Sequence, residues 1–190
     1  MKKDNRGVTL VELVIAIAIM GILVGFFVVG TGYINNSVAK GAANSIKTGI
    51  GQTRVKTMGQ KETYLYIYKD GQSYMMETVN KGSKTGDPIT TEKKEKIAKS
   101  KATVSFKINK NTGGSIGPTT IDGSNYLLIG FNRENGKLDL SGETLNFDGT
   151  SKTVTSATDE SSIVINVVSG PYDYEIKVHA ATGKVEMKRN

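Results

Sequence analysis

Apolar residues fall in two different rhythms along the chain, and the change of rhythm divides it. From Val8 to Val29 they run almost unbroken, with Glu12 as the single charge. Ile34, Val38, Ala42, Ile46 and Ile50 then recur every four residues, close to the spacing of one helix face, while Lys40, Lys47, Arg54 and Lys56 lie off that stripe. One long helix from Val8 to about Met58 follows, its outer half packed on a globular domain. Gly30, Gly32, Gly41, Gly49 and Gly51 weaken it, each by up to about 1 kcal/mol relative to alanine.

Beyond Thr63 the period becomes two. Thr63 to Tyr68 and Ser73 to Val79 predict a β-hairpin turning at Asp70-Gly71, with Tyr64, Tyr66 and Tyr68 on one face and Leu65 and Ile67 on the other. A tyrosine row can stack bases or sugars, but a sheet face covered by another element accounts for it more simply. Further strands are expected at Ala102–Ile108, Tyr126–Phe131, Lys137–Leu140, Leu145–Phe147, Ser162–Val168, Tyr172–His179 and Lys184–Met187, joined by turns rich in Gly, Asn and Asp. The fold class is therefore α+β: a long N-terminal helix leading into a compact antiparallel β-sheet or β-sandwich body.

The head of the long helix poses a thermodynamic question. Lys2, Lys3 and Arg6 precede the apolar run and the next basic residue is Lys40, so the positive-inside bias places the N-terminus in the cytoplasm and the body outside. The run of about 22 residues is enough, as a helix, for roughly 30 Å of hydrocarbon. It is longer than the apolar region of a cleaved secretory signal, and Gly30-Thr31-Gly32 matches the usual cleavage site poorly. A plain signal anchor would leave Glu12 unexplained, because a carboxylate at the bilayer centre costs on the order of 2.5 to 3.5 kcal/mol, although less near the edge. Either Glu12 snorkels to the interface or it has a partner.

Arg6-Gly7-Val8-Thr9-Leu10-Val11-Glu12-Leu13, after a short basic leader and before a long apolar helix, resembles the N-terminal signature of type IV prepilins and of the pseudopilins of type II secretion and DNA-uptake machines. The resemblance implies that a membrane prepilin peptidase cuts between Gly7 and Val8 on the cytoplasmic side, commonly with methylation of the new Val8 amine. The apolar helix survives cleavage. In a filament the cationic Val8 amine of one subunit can pair with Glu12 of a neighbour, which removes two costly charges from an apolar bundle at once; breaking one side of such a pair typically costs about 3 to 5 kcal/mol. The implied divisions are a leader at 1–7, a transmembrane and assembly helix at 8–29, the outer half of the helix at 30–58 and a β-rich domain at 59–190. Many family members carry a helix-breaking proline near position 29, where this chain has Val29; the Gly30-Thr31-Gly32 step is the candidate source of similar flexibility.

The Ile-Val-Ile strand at Ile163–Ile165, the Tyr-x-Ile-x-Val strand at Tyr174–Val178 and the closing Thr182-Gly183-Lys184-Val185 are similar to the minor-pseudopilin subgroup. This favours a minor pilin or pseudopilin over a major pilin. The resemblance further implies as partners the peptidase, other subunits of a helical filament, the inner-membrane assembly machinery, and membrane lipid before assembly. The destination is a cell-surface or envelope filament.

Composition narrows the chemistry. The 190 residues contain no cysteine, which excludes disulfides, thiolate zinc sites and cysteine nucleophiles, and the net charge of +7 permits attraction to phosphates or anionic head groups. The basic stretch Asn80–Lys101 holds Lys93, Lys94, Lys96, Lys99 and Lys101, and the Glu92/Lys96 and Glu95/Lys99 spacings predict a short exposed helix. A solvated charged face is the simple reading. The alternative is a polyanion site, and hence a DNA-capturing subunit of a competence system, although no aromatic residue interleaves these lysines in sequence.

Nothing argues for catalysis. His179 has no second histidine to join it, the serines lack a nucleophile elbow, and Gly113-Gly114-Ser115-Ile116-Gly117 lacks the lysine and helix of a phosphate loop. Asp139, Asp148 and Asp159 do not have the spacing of a compact calcium loop. No cofactor and no metal are expected, and a membrane-anchored enzyme is the weakest of the three functional readings.

Overall fold

The structure, a computed structural model, describes residues 9–59, 61–81, 88–99, 101–111, 113–139, 142–147, 150–155 and 160–190; the side chains of 27–31, 160 and 161 lie outside that set. Helix α1 spans Leu10–Gly59, a length of 50 residues, and runs without a break through Gly30-Thr31-Gly32. Two compact units divide the chain, Met1–Ile34 and Asn35–Asn190.

Among the described residues twelve strands follow: β1 Thr63–Asp70, β2 Ser73–Asn80, β3 Thr90–Lys99, β4 Thr103–Lys110, β5 Ser115–Thr120, β6 Leu127–Phe131, β7 Leu138–Asp139, β8 Thr144–Phe147, β9 Thr150–Thr153, β10 Glu160–Ser169, β11 Tyr172–His179 and β12 Val185–Arg189. They form two five-stranded sheets, ordered β3-β2-β1-β6-β7 and β12-β11-β10-β4-β5, and a separate β8-β9 hairpin. Every pairing is antiparallel. The α+β class expected from the two periodicities is the class observed.

One core joins the inner faces of both sheets to the second half of α1. Ala39, Ala42, Ala43, Ile46 and Ile50 of the helix meet Leu65, Ile67, Met76 and Ile129 of the first sheet and Val104, Ile163, Ile165, Val167, Ile176 and Val178 of the second. Small residues dominate the helix side because the backbone comes close. A Cβ on Gly49 would stand 2.6 Å from the Met76 sulfur, so this glycine makes room for Met76 rather than merely weakening the helix. At the far end of α1 the Arg54 guanidinium donates to the Gly136 carbonyl at 3.0 Å, tying the helix to the turn between β6 and β7.

Several expectations need correction. Ile34, placed on the buried stripe, is 50% exposed, and Val38 is half-buried. A strict four-residue repeat overshoots the helical turn by roughly 40° per step, so Ile34 points about 160° away from Ile50. The true stripe mixes steps of three and four through Ala39, Ala42, Ala43, Ile46, Ile50, Thr53 and Thr57.

The short helix expected around Glu92–Lys99 is strand β3. A spacing of four keeps two side chains on one face of a strand as well as of a helix, so those charge pairs could not discriminate. Pairing with the open edge of β2 decided the matter. The hairpin turn lies one residue later than expected, because Asp70 pairs with Ser73 and leaves Gly71, at φ 55°, and Gln72 as the loop. Strands β5 and β9 carry too few apolar residues to be legible, and the glycine-rich segment dismissed as a phosphate loop supplies the first half of β5.

Candidate functional site

The first turn of α1 is built by a reciprocal cap. The Thr9 hydroxyl accepts a hydrogen bond from the Glu12 backbone N–H at 3.3 Å, while the Glu12 carboxylate accepts from the Thr9 backbone N–H and from its hydroxyl, each at 2.9 Å. The Thr9 carbonyl accepts the first helical bond, from the Leu13 N–H at 3.1 Å. This is the capping box Thr-x-x-Glu, in which two N–H groups left unpaired by the helix start are satisfied. Glu12 thus has a partner within its own subunit. Thr9 is the residue that sequence reasoning passed over, although the Thr9–Glu12 spacing before an apolar run is a legible capping signal. Gly7 and Val8, the expected cleavage and methylation positions, lie outside the described residues.

Past the cap, α1 is apolar on every side. Leu10, Val11, Leu13, Val14, Ile15, Ile17, Ile19, Met20, Ile22, Leu23, Val24 and Phe26 are all between 52% and 78% exposed. A helix that is apolar all round has no side suited to water. Among the described residues no helix carries a stretch long and apolar enough to cross a membrane; the 22-residue run of the sequence also takes in Val8 and residues 27–29, whose side chains lie outside them.

The five candidate polyanion lysines separate. Lys93, Lys94, Lys96 and Lys99 lie on β3, an outer strand, and Lys101 lies in the turn to β4. Lys93 is bound by Glu95 at 2.6 Å on the same strand, and Lys94 reaches Glu77 across to β2 at 3.1 Å. Glu77 is largely buried and also accepts from the Tyr68 and Thr91 hydroxyls. The hydrogen bond to Tyr68, and after it the Glu77 carboxylate, push the Lys94 amine above its ordinary value. Lys94 stands 5.6 Å from the Tyr68 ring centre, so an aromatic neighbour invisible in the linear order is supplied by register. Among the described residues Lys96, Lys99 and Lys101 form no ion pair.

The tyrosine row is covered, as the simpler reading held. Tyr64 and Tyr66 pack with Val79, Leu128, Leu145 and Val154, with Phe147 and Tyr126 alongside. The β8-β9 hairpin is fastened there by the Tyr64 hydroxyl, which donates to Glu143 at 2.8 Å, and by Lys81, which bridges Glu143 and Glu62. Lys152 of β9 lies over the rings of Tyr66 and Tyr126 at 5.3 and 4.8 Å. Burial pushes the Tyr66 hydroxyl up to about 12 and raises Tyr64 further, with the Glu143 hydrogen bond adding to the effect. Burial also raises the Glu143 carboxyl, but hydrogen bonds from Lys81 and Tyr64 outweigh it and hold the group below its ordinary value.

His179 ends β11 with its Nε2 at 3.4 Å from Glu186, and Asp139 sits on β7, whereas Asp148 and Asp159 lie outside the described residues.

Residues 2–28 match the family described as Prokaryotic N-terminal methylation motif. No curated protein and no solved structure matches the chain. The chain thus carries at its head the motif found on type IV pilin-like proteins, and behind it a helix leading into antiparallel sheets.

Proposed function

We propose that the chain is a structural subunit, a minor pilin or pseudopilin, of a type IV pilus, type II secretion-like or competence filament. The observation that carries this reading is the helix from Leu13 to Phe26, apolar on every side and exposed throughout, within the matched methylation motif. Such a surface is stable only in lipid or among other apolar helices, and both environments lie on the route from a membrane-held precursor to a filament. Prepilin peptidase removes residues 1–7 between Gly7 and Val8, and the Val8 amine is methylated. In the precursor, residues 8–29 span the inner membrane with the N-terminus in the cytoplasm and the β-rich body outside. In the filament, the Val8 amine of one subunit pairs with Glu12 of another.

The cap within the subunit bears on how that exchange runs. Thr9 holds the carboxylate at the helix start until a cation arrives, so the incoming amine replaces or supplements a hydrogen-bonded partner rather than meeting a bare charge. Coexpression with a prepilin peptidase, followed by intact-mass measurement, tests the reading. A mature chain beginning at Val8 is expected, with the added mass of a methyl group where the peptidase also methylates. A chain left uncut at Gly7-Val8 would overturn it.

A second reading, a DNA-capturing subunit of a competence system, keeps the same head. It is favoured by Lys96, Lys99 and Lys101, which form no ion pair among the described residues, and opposed by the carboxylates that neutralise Lys93 and Lys94. Salt-sensitive binding of duplex DNA, lost when these three lysines become glutamate, would support it. No binding at low salt would remove it.

A further inference from the structure

The two five-stranded sheets present four outer strands, and three of them are ill-suited to accepting another strand. The β3 edge carries Lys93, Lys94, Lys96 and Lys99 and is interrupted by two register shifts against β2. In β5, Pro118 interrupts the strand and its ladder with β4 shifts register between Phe106 and Ile108. Among the described residues strand β7 is two residues long. Bulges, prolines, like charges and shortness are the usual means by which sheet edges avoid pairing.

Strand β12 has no bulge and no proline. Its five residues Val185-Glu186-Met187-Lys188-Arg189 pair with β11 in unbroken register. The Asn190 N–H donates to the Asp173 carbonyl at 3.0 Å and the His179 N–H to the Lys184 carbonyl at 2.9 Å, so the even-numbered residues direct their backbone groups at β11. By the alternation of an antiparallel ladder, Val185, Met187 and Arg189 direct theirs away from the sheet. Two of its charges are paired and the third is stacked: Glu186 sits between Lys184 at 2.7 Å and His179, Lys188 reaches Glu175 at 3.3 Å, and Arg189 lies over the Tyr172 ring at 4.8 Å. A surface depression follows the same edge, lined by Glu175, Lys177, Glu186, Met187 and Lys188.

We infer that β12 is a self-pairing edge whose partner is β12 of a second copy of this chain, aligned antiparallel about a two-fold axis through Met187. The strand is complementary to itself in that register and in few others. Met187 stands opposite Met187 of the other copy and Val185 opposite Arg189, which exchanges about six backbone hydrogen bonds between the outward groups. Glu186 then stands opposite Lys188 of the other copy, and Lys188 opposite its Glu186, on the outer face of the joined sheet. Opposite charges directly across a ladder stabilise pairing, and like charges oppose it. The contact is isologous, so it joins two bodies side by side and cannot be the head-to-tail repeat of a polar filament. It is therefore separate from the contacts of the apolar helix and does not depend on them.

The absence of cysteine from the chain makes the register directly readable. Full-length protein in detergent is oxidised after single substitution to cysteine along β12 and resolved without reductant. In the proposed register the two Met187 positions have Cα atoms about 5.5 Å apart, within reach of a disulfide. The two copies of Val185, or of Arg189, are about 13 Å apart along the strands, beyond reach. Met187→Cys is expected to give a disulfide-linked dimer, whereas Val185→Cys and Arg189→Cys are not. Equal linkage at all three positions, or none at 187, would overturn the inference.

Charge reversal in the Met187→Cys background guards against a variant that merely misfolds. Glu186→Lys and Lys188→Glu should each abolish linkage alone, and an equal mixture of the two should restore it as a mixed dimer. A mixture that stays unlinked would also overturn the inference.

Discussion

The two halves of α1 are one helix by backbone and two different objects by surface. From Leu13 to Phe26 every side is apolar and exposed; from Ala39 to Thr57 the apolar side chains other than the exposed Val55 form a narrow buried stripe, with Lys40 and Lys47 facing water. The second half is an ordinary amphipathic helix whose stability comes from the core it packs against. The first half has no such core in its own subunit. Helical structure by itself does not say where stability comes from; the arrangement of side chains around the axis does. Damage to the first half should therefore appear in assembly, and damage to the second in folding.

The largest effect expected from this contrast is at Glu12. Glu12→Gln keeps the capping geometry, since glutamine serves in a capping box, but removes the charge; Thr9→Ala keeps the charge and removes the cap. If the carboxylate serves intersubunit pairing, Glu12→Gln abolishes filaments seen by electron microscopy, whereas Thr9→Ala leaves them and costs only about 1 kcal/mol at the helix start. The reverse pattern would make Glu12 a structural cap and nothing more.

The next effect separates the halves by stability. Ile46→Ala removes a fully buried side chain and should destabilise the body by about 2 to 5 kcal/mol in denaturant titrations. Ile15→Ala, at an exposed site in the apolar half, should leave that transition within about 0.5 kcal/mol of the unsubstituted chain. Equal losses would show that the two halves share one core.

The smallest effects concern pH and lie in the β-rich body. Glu143 is held below its ordinary value, so its stabilising contribution is present above the ordinary carboxylate range and is lost as pH falls through the lowered value. Glu143→Gln should cost about 1 kcal/mol near neutrality once solvent screening is allowed for, and the difference should vanish in acid melts. Tyr64 and Tyr66 are shifted the other way. Their contribution is present below the ordinary tyrosine value near 10.0 and lost above it, so their ultraviolet titration should lag behind free tyrosine and coincide with alkaline unfolding.

Much of this architecture was readable before any coordinates. The apolar run, the Tyr64/Tyr66/Tyr68 alternation and the Tyr174-Ile176-Val178 strand follow from periodicity, because one face of each element must be apolar to be buried. Strands β5 and β9 escaped because their residues are mostly exposed and contribute little to the core. Glu92–Lys99 misled because a four-residue charge spacing fits both periods, and the choice lay with the hydrogen-bonding edge of β2, about which local sequence is silent. The head motif was legible in full, except for the capping partnership of Thr9.

What the sequence alone determined is what depends on neighbours along the chain: the helix, its capped and apolar head, the family signature and most of the strands. Tertiary structure decided what depends on neighbours in space. It placed Tyr68 and Glu77 beside Lys94, turned Ile34 out of the core, made Gly49 a seat for Met76 and left β12 as an outer strand of its sheet. The physical reason is the range of each interaction. Periodicity and capping act within a few residues, whereas burial, cross-strand pairing and the environment of a charge are set by elements far away in sequence, here as distant as β12 is from β1.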